Sequence, residues 1–252
     1  MNKALSSQEL RAIPKAFQPR PWLLLPARLC LFAGFQALFA LGFLTAGDSD
    51  PWDTSAIWWP FSVILANLVS LFLLIRFFRD EGNKYWDIFH FSKQHVKGDL
   101  LVVFGLVVIS GPIAFLPNLA LAGWLFDDPQ NAMNLMVRHI PTWAALAAFI
   151  FFPVTQGMVE LPYYLRYIMP RLKEQTGNAL LAVSLAALGL GVQHFTMPLL
   201  FDPKFIIWRL LMFIPFAFLM AIILNWRPRL LPYFVIVHIL MDMSTAVFFF
   251  TV

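Results

Sequence analysis

Four side chains that can exchange protons or coordinate a metal lie inside otherwise apolar stretches of this chain. They are Glu160, His194, His238 and Asp242. Carboxylates and imidazoles are the usual groups for general acid–base catalysis, and they also bind catalytic zinc. Inside a membrane they also form proton relays or hydrogen bonds between helices. These four residues are therefore the candidate functional site of the protein.

A carboxylate in the middle of a bilayer costs at least ~2.5–3.5 kcal/mol on insertion scales, so it persists where it is paired or useful. Only Glu160 and Asp242, among 14 acidic residues, fall within the apolar stretches. Of the five histidines, His90, His95 and His139 lie outside them. The structural alternative is that these groups only join helices through hydrogen bonds. Two acids and two histidines at similar depths favour a functional site.

The elements that must position these residues are membrane spans. The chain has 252 residues, of which 60% are hydrophobic and 13% are charged, against roughly 45–50% apolar and 25% charged residues in soluble domains. This composition excludes a soluble globular protein, a disordered protein and a nucleic-acid binder, and it indicates a polytopic membrane protein. The one cysteine, Cys30, allows no intramolecular disulfide and argues against a cysteine-based metal site.

Seven apolar stretches are long enough to cross a hydrocarbon core of ~30 Å as helices. We therefore predict an all-α fold, a polytopic transmembrane bundle of about seven spans, because the stretches are too long and uniform for barrel strands. A cytoplasmic segment, residues 1–25, precedes a single transmembrane domain, residues 26–252. We expect the first span to be retained rather than cleaved as a signal. The stretches are residues 26–46, 55–78, 100–121, 141–165, 178–195, 205–224 and 230–250.

Basic residues set the expected orientation, because cytoplasmic loops carry an excess of Lys and Arg. With the N-terminus in the cytoplasm, all 18 basic residues except Arg138, Lys204 and Arg209 fall on the cytoplasmic side. Seven spans then put the C-terminus outside. The longest connection, residues 76–99, interleaves aromatic and charged side chains, which predicts an interfacial cytoplasmic helix. An ordinary membrane-anchored loop is the alternative.

Spacing along the spans indicates which of the four groups can meet. His238 and Asp242 are four residues apart, so they share one helix face. The fifth span is rich in Ala and Gly, which allow close approach to neighbouring helices. We expect this packing to bring His194 beside Glu160, with all four groups within about one helical turn of the same depth.

Three segments resemble the motifs of the CPBP family, the CAAX proteases and bacteriocin-processing enzymes also called the Abi family. Residues 160–172, ELPYYLRYIMPRL, are similar to the first motif, Glu-Glu-x-x-x-Arg followed by Gly-Tyr-Leu-x-Pro-Arg-Leu. Residues 190–194, LGVQH, match the second motif, Phe-x-x-x-His, except at the Phe. Residues 238–242, HILMD, match the third, His-x-x-x-Asn/Asp. The resemblance covers about residues 140–250, with the motifs in the family's order on separate spans.

The first motif departs from the family pattern. Aligned on residues 167–172, Glu160 takes the position of the first Glu, which is the catalytic one in the family. Leu161 replaces the second Glu and Leu165 replaces the Arg, while Arg166 lies one residue late. The two absent residues form a supporting pair in our interpretation, and their joint loss avoids leaving a stranded charge. The resemblance then implies a divergent branch of the family.

The resemblance implies an intramembrane endopeptidase of the CAAX-processing type. Glu160 and His194 would hold and deprotonate a water, and His238, with or without Asp242, would line the oxyanion site. An ionised Asp cannot donate a hydrogen bond, so we expect Asp242 to orient His238. A zinc ion held by Glu160, His194 and His238 is an open alternative. We favour the metal-free pair.

The substrate expected from the resemblance is a membrane-associated peptide or a lipidated protein, in a bacterial inner (plasma) membrane, with no nucleic-acid partner. Two other functions fit parts of the sequence. A catalytically inactive scaffold or immunity-type protein of the same family fits the incomplete first motif. An ion- or proton-coupled transporter fits the intramembrane Glu, Asp and His, although the two halves show no inverted repeat.

Overall fold

The computed structural model describes residues 18–250, which form helices and turns with no β-strand. The predicted all-α helical bundle is therefore confirmed. Residues 1–17 of the predicted cytoplasmic segment lie outside the described residues. The α-helices are α1 (Arg20–Thr45), α2 (Pro51–Ile57), α3 (Trp59–Asp80), α4 (Val96–Phe126), α5 (Pro129–Met136), α6 (Thr142–Leu161), α7 (Met169–Thr176), α8 (Ala179–Val192), α9 (Pro203–Leu211), α10 (Ile214–Trp226) and α11 (Leu231–Val247).

Six helical runs are long and apolar enough to cross a membrane, and they indicate a membrane-embedded protein. Three of them are α1, α3 and α4. The other three join successive elements, over Thr142–Thr176, Pro203–Trp226 and Pro228–Phe250. The fifth predicted span, residues 178–195, is a shorter apolar helix, Ala179–Phe195. The seven predicted stretches thus correspond to six long helices and one short one.

Proline positions explain where two predicted spans are interrupted. The second span is divided at Trp58 into α2 and α3, and Pro60 lies in the first turn of α3. The sixth span is divided at Met212 and Phe213 into α9 and α10, and Pro215 lies in the first turn of α10. Proline suits the first turn of a helix because its missing N–H has no partner to lose there.

Helix α6 continues into α7 through a wider π-helical stretch, Pro162–Ile168. Pro162 has no N–H, so it cannot bond to the carbonyl of Met158, four residues earlier. The hydroxyl of Tyr85 donates to that carbonyl instead. Tyr85 begins the short 3-10 helix Tyr85–Phe89, which is the helical segment within the loop that the sequence assigns to an interfacial helix. Burial raises the pKa of the Tyr85 phenol.

Small residues set the close approach of helices around the candidate site. Ala182, Ala186 and Ala187 of α8 are fully buried. A Cβ added at Gly189 would lie 2.8 Å from Tyr164 Cε1, closer than van der Waals contact allows. A Cβ at Gly157 in α6 would overlap the side chain of Ile239 in α11. Helix α6 therefore packs tightly against α8 through its extension and against α11 directly.

Ion pairs mark the two ends of the bundle. One end holds Arg20–Asp80 at 3.3 Å, Arg229–Asp99 at 2.9 Å and the buried pair Arg171–Glu81. The other end holds Arg138–Asp53 at 2.6 Å. This division follows the orientation pattern of the sequence, in which only the first end is assigned to the cytoplasmic side.

Two arginines that the sequence analysis counts with the charges of the two membrane sides lie inside the bundle instead. Arg28 was expected on the cytoplasmic side and Arg209 on the outer side, yet their side chains are buried with 0% and 3% exposure. Each is accommodated because neutral oxygen acceptors from other elements surround its guanidinium group. Neither arginine therefore counts among the loop charges that indicate the orientation of the protein in the membrane.

Helix α4 covers one side of the bundle loosely. Leu101, Phe104 and Trp124 expose 73%, 69% and 76% of their surface. Such exposure is unfavourable in water and is satisfied by lipid chains in a membrane. The helix also contains Pro112 and Pro117 in its interior. It separates the interior of the bundle from the surrounding lipid.

Candidate functional site

Glu160 occupies the last turn of α6 and is buried, with 3% exposure. Its Oε2 atom accepts hydrogen bonds from two amide side chains. Gln156, one turn earlier on α6, donates one of them. Gln193, in the 3-10 turn that follows α8, donates the other across 2.8 Å. One carboxylate oxygen is thus fixed, and Oε1 faces the other side of the site.

His194 lies where α8 ends, in the 3-10 turn Gln193–Phe195. Its Nδ1 atom is 3.0 Å from the carbonyl oxygen of Gly191. A carbonyl only accepts, so Nδ1 carries the hydrogen and Nε2 of the neutral ring is an acceptor. Nε2 lies 4.0 Å from Glu160 Oε2. The ring of Phe213 packs against the imidazole, with centroids 4.3 Å apart.

His238 and Asp242 reach the same place from α11. His238 Nε2 lies 3.5 Å from Glu160 Oε1 and 3.3 Å from Asp242 Oδ2. Its imidazole therefore stands between the two carboxylates. The other ring nitrogen, Nδ1, and Asp242 Oδ2 are buried without a hydrogen-bond partner among residues 18–250. Buried polar atoms are normally satisfied, so these two mark a place for a water or another ligand group.

The four residues singled out by the sequence meet in one cluster, although they come from three different spans. His194 lies beside Glu160, and His238 and Asp242 share a face of α11, as the spacing predicts. The distance of 4.0 Å between Glu160 and His194 is too long for a direct hydrogen bond. Because the Glu160 carboxylate and His194 Nε2 are both acceptors, a water molecule can donate one hydrogen to each of them.

A cavity of about 960 Å³ opens beside this cluster. Its walls are mainly apolar side chains of α4, α10 and α11, and Phe115, Phe216 and Val237 are among them. All four candidate residues line it, together with Arg209. An apolar cavity with a few converging polar groups is the usual form of a small-molecule or substrate site.

Several polar residues around the cluster were missed by the sequence analysis, which searched only acids and histidines. Arg28 contacts Gln193, Gln156 and Asn67. Arg209 donates to the carbonyls of His194 at 3.1 Å and of Met197 at 2.8 Å. The amide residues within the apolar stretches could have indicated these contacts from the sequence. Amides are rare inside membrane spans and usually form hydrogen bonds to another helix there. The amides concerned are Asn67, Gln156 and Gln193.

The irregular part of the first motif lies away from the carboxylate. Leu161 and Leu165 are buried apolar side chains, with 2% and 0% exposure. Arg166 is also buried, and its Nε atom has no hydrogen-bond partner among the described residues. Within residues 18–250 it forms no ion pair with Glu160. No cation next to Glu160 comes from its own helix.

The residues were also compared with the requirements of a zinc site, which the sequence leaves open. Among residues 18–250, no three His, Cys, Asp or Glu side chains are arranged to hold a metal ion. Zinc binding by Glu160, His194 and His238 stays a prediction, and the catalytic roles proposed for these residues use the side chains alone.

Comparisons of the chain with protein-family models, with curated proteins and with solved structures found no match.

Proposed function

We propose that this protein is an intramembrane endopeptidase that hydrolyses a membrane-associated peptide or a lipidated protein. The observation that carries the proposal is the meeting of Glu160, His194 and His238 at one wall of an apolar cavity. The motif resemblance described above supports the same function, as a divergent member of the CPBP family of CAAX-processing enzymes.

The reaction begins with a water held between the Glu160 carboxylate and His194 Nε2. Glu160 takes one proton as the water oxygen attacks the peptide carbonyl carbon, and His194 accepts a hydrogen bond from the other hydrogen. The new C–O bond forms while the carbonyl electrons move onto its oxygen. When the tetrahedral intermediate collapses, the C–N bond breaks and Glu160 returns its proton to the leaving amine. The products are a carboxylic acid and an amine.

His238 supplies the donor for the oxyanion. Its Nε2 atom lies 3.5 Å from Glu160 Oε1, on the face opposite the amide donors. Asp242 Oδ2, at 3.3 Å from the same nitrogen but without a hydrogen bond to it, favours the tautomer that carries the hydrogen on Nε2. An N–H group placed beforehand where negative charge develops is the usual source of oxyanion stabilisation. Asp242 is thus a positioning residue for His238.

The cavity suits an apolar substrate that arrives through the membrane. Its walls include α4, whose outer surface is itself apolar and exposed. We place the protein in a bacterial inner membrane with its N-terminus in the cytoplasm. The support is the excess of Lys and Arg at one end of the spans, which remains after Arg28 and Arg209 are set aside. If the short apolar helix crosses with the six long ones, the C-terminus lies outside.

The direct test is cleavage by the purified full chain in lipid nanodiscs. The probe is a pool of apolar synthetic peptides, with and without a lipid-modified cysteine, and new termini are detected by mass spectrometry. We expect Glu160→Gln and His194→Ala each to lower the cleavage rate by roughly 10²–10⁴-fold. The control is Glu174→Gln, which changes an exposed acid on the same helical run and should not alter the rate.

Two results would contradict the proposal. One is turnover that survives both Glu160→Ala and His194→Ala in a pure preparation. The other is a pool in which no peptide is cut while the cellular phenotype of the gene persists with Glu160→Gln, which would favour the non-catalytic scaffold. Proton flux in liposomes that is abolished by Glu160→Gln would favour the transporter.

A further inference from the structure

Arg28 is a buried cation whose hydrogen-bond partners within residues 18–250 are neutral. It lies in the third turn of α1, with 0% exposure. Among residues 18–250, no carboxylate oxygen lies within the 4.0 Å of an ion pair with it. Its guanidinium group donates instead to three amide oxygens. They belong to Gln193 at 2.8 Å, Asn67 at 2.8 Å and Gln156 at 3.1 Å.

The chemistry of Arg28 decides which way these amides point. A guanidinium group only donates hydrogen bonds, so each amide beside it must turn its oxygen inward and its NH₂ group away. For Gln193 and Gln156, the outward NH₂ group donates to Glu160 Oε2. Asn67 completes the arrangement, because its own NH₂ group donates 2.9 Å to Gln156 Oε1. The cation thus fixes two donors on the carboxylate.

Through the same hydrogen bonds the Arg28 cation stabilises negative charge on Glu160, although the two side chains are not in direct contact. The amides of Gln156 and Gln193 are each polarised by the cation on one side and by the carboxylate on the other, and such chains are cooperative in a medium of low dielectric. The helix that carries Glu160 offers no equivalent. Leu161 and Leu165, which occupy the positions where the resemblance expects Glu and Arg, are buried and apolar.

We propose that Arg28 is a positioning residue for Glu160, acting through Gln156 and Gln193, and that it supplies from α1 the positive support that the Glu160 helix lacks. Insofar as it concerns catalysis, this inference rests on the proposed function. The competing role is a purely structural tether, since Arg28 also joins α1, α3, α6 and the turn after α8. A test must therefore report on Glu160 itself.

Difference infrared spectroscopy provides that test without requiring a substrate. The spectrum of the intact protein is compared with that of Arg28→Met, and the same comparison is repeated in the Glu160→Gln background. We expect Arg28→Met to shift a carboxyl or carboxylate band, and we expect that shift to vanish when Glu160 is absent. Arg76→Met, which removes an exposed arginine of α3, is the matched control and should give no such band.

Graded substitutions separate positioning from folding. Arg28→Lys retains the positive charge but replaces the planar guanidinium group, with its several fixed N–H donors, by a single ammonium group. We expect it to retain the fold and a smaller band shift than Arg28→Met. Gln193→Met, which leaves Arg28 in place and removes one intermediary, should shift the same Glu160 band. A Glu160 band that is unchanged in folded Arg28→Met or Gln193→Met protein would overturn the proposal.

Where cleavage can be measured, the expected pattern is a fall in kcat of tenfold or more for Arg28→Met with KM unchanged, and partial recovery with Arg28→Lys. An equal loss in both variants, matched by an equal loss of folded protein, would indicate a tether only. If no peptide is cleaved by any preparation, the proposed function fails, while the infrared result still decides whether Arg28 positions Glu160.

Discussion

The two sides of Glu160 differ in how completely they are bonded. On the side of α1, α3 and α8, Oε2 accepts two amide hydrogens, and the amides are fixed in turn by Arg28. On the side of α11 and the cavity, the nearest groups are His238 at 3.5 Å and, beyond it, Asp242. His238 Nδ1 and Asp242 Oδ2 have no hydrogen-bond partner among the described residues.

This difference indicates a division of tasks within one small cluster. The bonded side is a frame that holds the carboxylate in one orientation, as preorganised sites require. The open side keeps polar capacity unused and faces about 960 Å³ of cavity. A ligand or a water that binds there completes hydrogen bonds which the folded chain leaves unmade. Substitutions on the two sides should therefore have opposite signatures.

The largest loss of activity is expected from a substitution that moves α11, which carries His238 and Asp242, away from Glu160. Gly157→Val places a side chain against Ile239, with the carbonyl of Val235 only 3.2 Å from the added Cβ. We expect α11 to shift, which separates His238 from Glu160 and abolishes cleavage. Overpacking of this kind also lowers the free energy of unfolding by about 1–3 kcal/mol. Cleavage assays and thermal unfolding in detergent measure the two effects.

Gly34→Val in α1 is the control for this substitution, because a Cβ at Gly34 has nothing within 4 Å. It introduces the same β-branched residue into a helix without the collision. Equal losses in the two variants would show that the effect comes from valine in a helix rather than from the contact between α6 and α11.

Replacing one polar residue on each side of Glu160 by leucine should change the free energy of unfolding differently on the two sides. Asn67→Leu removes hydrogen bonds to Arg28 and Gln156 and leaves both groups buried, so we expect a loss of about 2 kcal/mol in the free energy of unfolding. Asp242→Leu removes a carboxyl whose buried Oδ2 atom has no hydrogen-bond partner among the described residues, so the free energy of unfolding should be unchanged or higher. A larger loss for Asp242→Leu than for Asn67→Leu would contradict the division.

A more conservative change on the open side tests the role of Asp242. Asp242→Asn retains the shape and can still contact His238 Nε2 through its amide oxygen. We expect cleavage within about tenfold of the unmodified protein, which corresponds to about 1.4 kcal/mol in the activation free energy. Asp242→Leu should lose far more activity at equal stability. Similar rates for Asn and Leu would remove Asp242 from the mechanism.

The smallest expected effect concerns Tyr85, which bonds to Met158 two residues before Glu160. Tyr85→Phe should lower the free energy of unfolding by about 1 kcal/mol at neutral pH. Burial raises the pKa of the phenol above its ordinary value of 10.0, so the unfolded chain ionises first as the pH rises. The advantage of tyrosine over phenylalanine is therefore present below pH 10 and declines above it. A constant difference between the two proteins in alkaline unfolding experiments would contradict this assignment.

The sequence predicts the spans well because hydrophobic length is a local property. Residues 100–121 were expected to form a span, and α4 extends a few residues further at each end, over Val96–Phe126. The interruptions at Trp58 and Met212 depend on proline, which was visible but was not used. The meeting of His194 with Glu160 was predicted from the small residues of the fifth span and the motif order.

Arg28 and Arg209 show where prediction from the sequence fails. An arginine near the end of an apolar stretch is counted with the charges of the nearer membrane side. Hydrophobic length predicts where a helix runs, but it does not show which face of the helix other helices cover. The true place of Arg28 depends on amides at residues 67, 156 and 193, which belong to other helices. Such long-range partners leave no periodic signal in the chain, so the frame around Glu160 becomes visible only in three dimensions.

The place of Arg28 also constrains how the protein is assembled during synthesis. An arginine within a single helix costs roughly 2.5–3.5 kcal/mol when that helix partitions alone from the translocon into lipid. Its amide partners Asn67, Gln156 and Gln193 are translated later, and the last of them follows α8. Helix α1 is long and apolar enough to span a membrane, but its arginine lacks these amide acceptors until the later helices have been made.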